Sequence, residues 1–148
     1  TPRIIDPRNA FIMNSLLKEV INTGTARKAK IIKRSDLAGK TGTTNELVDA
    51  WFAGFNQDIV TVTWMGFDQP KTLGKHESGS RAALPIWIDY MRPILKNYPM
   101  RELETPHGII PLKINPINGL LAEKNENSIY EYFYDEFLPM EKAYFLLN

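Results

Sequence analysis

The run from Ala50 to Phe67 constrains the fold more than any other part of the chain. "AWFAGFN" and "IVTVTWMGF" are rich in the β-branched and aromatic residues that suit sheets. Only the polar turn Asn56-Gln57-Asp58 joins them. A connection that short cannot carry a crossover, so the two runs pair antiparallel. A third run, residues 36–43, rises into Lys40-Thr41-Gly42-Thr43 and supplies another strand.

Helical patterns flank the strands. Asp6-Pro7 is a helix start, a capping carboxylate followed by a proline that needs no amide hydrogen. Ala10, Met13, Leu17, Val20 and Ile21 then recur at helical spacing, with Met13, Leu17 and Val20 as the core face, and Gly24 ends the pattern. Arg27, Lys28, Lys30, Lys33 and Arg34 read as a solvated basic connector, and Asp68 to Ser78 as a loop. A helix lies within 79–97, where Ala83, Trp87, Met91 and Leu95 recur four apart, with Pro85 in its first turn. Past Tyr98 the prolines multiply. "IIPLKINPINGLLA" reads as short strands around an Asn118-Gly119 turn, and "SIYEYFYDEFL" as a short helix or an edge segment.

The class is α/β of the α+β type, an antiparallel sheet packed by helices. Two helices cannot cover both faces of such a sheet, so the expectation is an end piece of a larger protein, incomplete without an upstream segment. Residues 1–98 form its main portion and 99–148 a proline-rich extension. The absence of cysteine removes disulfides, thiol catalysis and thiolate metal sites. A net charge of +1 gives no overall signature of nucleic-acid binding. The charge is uneven, with nine Lys/Arg against three Asp/Glu in residues 1–40. No apolar run approaches the roughly 18–20 residues that span a bilayer.

Gly39-Lys40-Thr41 is not a phosphate loop. That motif needs a glycine five places before Gly39, where Arg34 stands, and a helix after the threonine, where a turn and a strand follow. In a strand, Lys40 and Gly42 face one way and Thr41 and Thr43 the other. A glycine lets a ligand backbone approach, the strand edge can hold a peptide as an added strand, and the hydroxyls can grip its carboxylate. With a nucleophile present, such an edge suits acyl transfer on a peptide.

Lys40-Thr41-Gly42 resembles the third motif of the serine penicillin-recognising enzymes, which pairs with a Ser-x-x-Lys and a Ser-x-Asn. "GTARKAKIIKRSDLAGKTGTTNELVDAWFAGF", "VTVTWMGFDQP" and "LGKHESGSRAALPIWIDYM" look like the back half of the transpeptidase domain of a bifunctional class A penicillin-binding protein, over roughly residues 4–97. The resemblance implies a β-lactamase/transpeptidase-like fold. It implies a DD-transpeptidase that cross-links D-Ala-D-Ala stem peptides through a serine acyl-enzyme and is acylated by β-lactams. It further implies a glycosyltransferase in the same protein and a single-pass anchor on the periplasmic side of the inner membrane, both outside this chain. Transpeptidation calls for no cofactor; a divalent metal belongs only to the glycosyltransferase. By the same resemblance, Lys40 supports the electropositive subsite and serine–lysine proton network. Thr41 and Thr43 offer hydroxyls to the substrate carboxylate, Gly42 permits close approach, and the Thr43 N–H is an oxyanion donor. Thr44 and Asn45 line the turn, and Asp49 and Trp51 support the strand pair.

The nucleophile is missing. Ser15-Leu16-Leu17-Lys18 has the letters of Ser-x-x-Lys, but it lies mid-helix about two dozen residues before Lys40, whereas the family's motif lies far upstream. No Ser-x-Asn is present. The expected partners are therefore the upstream part of the same protein, stem peptides and β-lactams, and the chain alone is expected to be inactive. The other class is a non-catalytic module that binds cell-wall peptide reversibly. Glu77-Ser78-Gly79-Ser80 departs from the family's Glu-Ser-Gly-Gly only by a small residue. His76 and His107 lack metal-spaced partners, Glu46 reads as solvent-exposed or a cap, and Trp51, Trp64 and Trp87 read as packing between sheet and helix, with a sugar platform only where one is exposed.

Overall fold

The computed structural model describes residues 4–124 and 126–139. They form two compact units, one of residues 14–103 and one joining residues up to 13 with those from 104 onward.

Helix α1, Pro7–Asn22, begins where Asp6 Oδ1 accepts the Arg8 N–H at 2.8 Å. It stops as the N–H groups of Thr23 and Gly24 both turn back to the Glu19 carbonyl. Its buried side chains are Phe11 and Ile21, while Met13 and Leu16 are half exposed. Of the face that Met13, Leu17 and Val20 suggested, Met13 is off the core, Leu17 is half-buried and Val20 packs against the core next to Ile21.

The basic stretch is not a solvated link. Arg27–Ile32 is a 3₁₀ helix, and Ala26 and Ala29 beneath it are fully buried. A 3₁₀ helix has three residues per turn, so Ala26, Ala29 and Ile32 align on one side and the lysines on the others. The charges masked an apolar triplet.

Strands β1 (Ala38–Thr43), β2 (Ala50–Phe55) and β3 (Val60–Met65) form an antiparallel sheet in the order β1-β2-β3. The turn between β2 and β3 is built by Asn56, whose Oδ1 accepts the N–H groups of Asp58 and Ile59 at 3.2 and 2.9 Å. The register pairs Thr43 with Ala50, Thr41 with Phe52 and Gly39 with Gly54. Those six residues share the inner face with Thr61, Thr63 and Met65.

A π-helical turn, Gly79–Ala83, leads into α2, Leu84–Ile94, and a 3₁₀ turn, Leu95–Asn97, follows. Pro85 sits in the first turn of α2 and Pro93 in its last, where little helix remains to disrupt. Leu84, Trp87, Ile88 and Met91 make its buried stripe. Trp87 meets Phe52 edge-on, with ring centroids 5.1 Å apart at 73°. Gly54 makes room for it, since a Cβ there would lie 2.7 Å from the indole. Each such fully buried large side chain stabilises the unit by about 1.5–3 kcal/mol.

Only Trp87 packs sheet against helix. Trp51 and Trp64 lie on the outer face, 42% and 45% exposed, with ring centroids 6.0 Å apart. Val60 and Val62 extend that face and are exposed too. Odd positions of β2 could be read from the sequence as core because tryptophan is large and apolar. The register instead puts the smaller set, Ala50, Phe52 and Gly54, against the helices.

In the second unit, β4 (Ile109–Ile114) pairs antiparallel with β5 (Ile129–Tyr134), which settles the acidic aromatic segment as a strand. Ile114 also bridges to Leu121 across the turn that contains Asn118, whose Oδ1 accepts the Leu120 N–H. Phe11 packs edge-on against Tyr132 at 4.9 Å, and Arg8 bonds Glu136 at 2.8 Å while lying over Tyr134.

Candidate active site

β1 is an edge strand, and Lys40-Thr41-Gly42-Thr43 is its exposed end. The Thr44 N–H donates to the Asp49 carbonyl at 3.1 Å, toward β2. Alternation along an antiparallel ladder then turns the N–H and C=O of Thr41 and Thr43 to the free edge. Lys40 Nζ confirms the direction by donating to the Thr41 carbonyl at 3.0 Å. Lys40 itself lies on the outer face, paired with Ala53, and is exposed.

Both threonine hydroxyls are held from the inner side. Thr43 Oγ1 accepts the Gly79 N–H at 3.0 Å, and Thr41 Oγ1 lies 2.9 Å from Thr25 Oγ1. A hydroxyl has one hydrogen and two lone pairs, so accepting from Gly79 leaves the Thr43 hydrogen free to be donated. Gly79 must be glycine. A Cβ there would run into the carbonyl oxygens of Gly42 and Trp51. Ser80, where the family pattern has glycine, carries no positive φ and shares a 2.9 Å hydrogen bond with Ser78.

The far end of β1 is tied down by Arg34 and Asp36. Arg34 Nε reaches Asp36 Oδ1 at 2.8 Å, and its Nη1 reaches the carbonyls of Leu95 and Tyr98 at 3.0 and 2.8 Å. Burial pushes the Asp36 carboxyl up, but the Arg34 fork and the Arg101 N–H outweigh it and hold the carboxyl below its ordinary range. At the turn, Thr44 Oγ1 accepts the Asp49 N–H at 2.7 Å, and Asp49 Oδ1 accepts Trp64 Nε1 at 2.9 Å. Asn45 begins a short turn, Asn45–Leu47, in which Glu46 and Leu47 take positive φ.

Ser15 and Lys18 do not form a pair. Lys18 donates instead to Glu102. His76, His107 and Glu46 are exposed. Among the described residues, no three His, Cys, Asp or Glu gather as metal ligands, and no helix is long and apolar enough to cross a membrane. Sequence reasoning gave no role to Thr25 or Gly79. The glycine and threonine of "TGTAR" and the small residues of "ESGS" were the available signal.

The chain matches curated proteins closely. It is 52% identical over 138 residues to penicillin-binding protein 1A of Pseudomonas aeruginosa, spanning 93% of this chain and 17% of that protein. The chain belongs to the penicillin-binding protein 1A family. Penicillin-binding protein 1A of Neisseria gonorrhoeae is 49% identical over 109 residues, 74% of this chain and 14% of that protein. The crystal structure of penicillin-binding protein 1A from Haemophilus influenzae superposes with a TM-score of 0.87 at 37% identity, covering 95% of this chain and 22% of that one. The mixed helix and antiparallel-sheet architecture thus matches this part of a penicillin-binding protein 1A. The chain spans about a sixth of the length of these curated relatives. No family model matches it.

Proposed function

We propose that this chain forms one wall of a DD-transpeptidase site for peptidoglycan synthesis, with the nucleophilic serine and its lysine supplied by an upstream part of the same protein. The observation that carries the reading is the free edge of β1, where the Thr43 hydroxyl, braced by Gly79, stands beside outward-facing backbone N–H groups and Lys40.

The D-Ala-D-Ala end lies along β1 as an added strand. Thr43 and Thr41 donate to its carboxylate, and Lys40 raises the local potential. The serine oxygen attacks the penultimate carbonyl, and its proton passes through the lysine network to the departing D-Ala nitrogen. Charge on the carbonyl oxygen falls to the Thr43 N–H. An amine of a second peptide then attacks the ester, forms the cross-link and returns the proton to serine. Thr44 and Asn45 shape the turn next to this edge. A β-lactam opens on the same serine. The whole protein would also carry a glycosyltransferase and an anchor on the periplasmic side of the inner membrane.

Intact-mass spectrometry tests this on the complete protein before and after penicillin. One drug mass gained on a peptide upstream of this chain supports the split site. A folded, empty protein that binds D-Ala-D-Ala peptide without gaining mass would instead be a non-catalytic peptide-binding module.

A further inference from the structure

The two hydroxyls on the inner side of β1 are held in different ways. Thr43 Oγ1 accepts the Gly79 N–H at 3.0 Å, and a backbone N–H can only donate. Thr41 Oγ1 lies 2.9 Å from another hydroxyl, that of Thr25, and either of these two can be the donor. The hydrogen of Thr41 therefore has two directions open to it, toward Thr25 or toward a ligand.

Thr25 is held in place by its two neighbours. The Gly24 N–H donates to the Glu19 carbonyl at 3.0 Å as α1 ends, and a Cβ on Gly24 would lie 2.9 Å from the Val20 Cα, so a side chain there would collide with the helix backbone. Ala26 is fully buried, and its N–H donates to the Val20 carbonyl at 2.9 Å. A residue between two such anchors has little freedom. Thr25 itself is exposed and Thr41 half-buried, so burial does not demand a bond between their hydroxyls.

We propose that Thr25 is a positioning residue: it donates its hydrogen to Thr41 Oγ1 and so turns the Thr41 hydrogen toward the ligand carboxylate on the edge of β1. The inference rests on the transpeptidase reading. The charge of the arriving carboxylate selects one polarity of the hydroxyl pair. Thr41 then donates to the carboxylate and Thr25 to Thr41, and each bond strengthens the other by polarising the oxygen they share. Only rotation about two C–O bonds is involved, and no proton is transferred. Thr25 acts through Thr41.

The test uses the complete protein and two ligands, a penicillin and the same penicillin with its carboxylate converted to the neutral carboxamide. The readout is the ratio of their acylation rate constants by intact mass, which is independent of the folded fraction. The wild type should favour the carboxylate by about tenfold or more. Thr25→Val should lower that ratio by about three- to tenfold, mainly by slowing the carboxylate form, and Thr25→Ser should restore it. Thr41→Val should lower the ratio as well, and adding Thr25→Val to it should change the ratio no further. A ratio untouched in Thr25→Val, equal slowing of both penicillins, or an effect that survives in the Thr41→Val background overturns the positioning role and leaves the parent reading standing. So does a wild type that gains the drug mass without distinguishing the two ligands. A folded wild type that gains neither mass overturns both.

Discussion

Thr43 and Gly79 are 36 positions apart, and the hydroxyl of one accepts the amide hydrogen of the other at 3.0 Å. This bond fixes which way the Thr43 hydrogen can point. Thr43→Val keeps the shape of the side chain but removes both the acceptor and the donor. Penicillin acylation of the complete protein should slow about 10- to 100-fold, the worth of one hydrogen bond to a charged group. Thr43→Ser should hold most of the rate. Equal rates for wild type and Thr43→Val would remove the hydroxyl from the site.

Gly79→Ala places a methyl group against the carbonyls of Gly42 and Trp51. Those are backbone atoms in a paired register, so the start of the helical segment must shift. A loss of about 1–3 kcal/mol is expected from such overpacking, read as a lower denaturant midpoint. Ser80→Gly, one residue on, should cost far less, since Ser80 needs no unusual backbone angle.

The Arg34–Asp36 pair makes stability depend on pH in a defined direction. Asp36 has its pKa lowered on folding, so its contribution is complete above the unfolded value and lost as pH falls through the folded one. Asp36→Asn leaves Arg34 charged and partly buried, and should destabilise by about 3–5 kcal/mol at neutral pH. The gap to wild type should start to narrow as pH falls below the ordinary aspartate range and close only below the lowered folded value, where the folded aspartate is itself protonated. Thermal unfolding at pH 7, 5 and 3 measures it; a gap independent of pH would contradict the assignment.

Ser15→Ala should leave penicillin labelling intact. Its apparent partner Lys18 is engaged with Glu102, a half-exposed pair worth at most about 1 kcal/mol. Loss of the drug mass in Ser15→Ala would make this serine the nucleophile.

The sheet was legible because each signal was local. Asn56 carries its turn within three residues, and β2 and β3 announce themselves by composition. Helix α1 was legible in its start at Asp6 and only in part in its facing, because Met13 is as apolar as the residues that are buried. The basic 3₁₀ helix was hidden for the opposite reason. Ala26 and Ala29 add so little hydrophobic signal that five cations overwhelm it, yet alanine is what a close approach admits. Trp51 and Trp64 show that alternation in a strand fixes two faces without saying which one gains a cover; Gly54 decides it, by leaving room for Trp87. For the candidate site, Lys40 to Thr43 could be read directly. Thr25 and Gly79 could not, because their bearing on β1 comes from tertiary contacts made 16 and 36 positions away.

β1 resembles a beam supported at both ends. One support is the guanidinium of Arg34, which joins Asp36 to the carbonyls that close the last helix. The other is the amide of Gly79 at the far end of the strand. An edge strand without such supports would ripple, and a visiting peptide would have to straighten it before pairing. Here that ordering is already done, so the affinity of a ligand for this edge should report its own stiffness and not that of the protein.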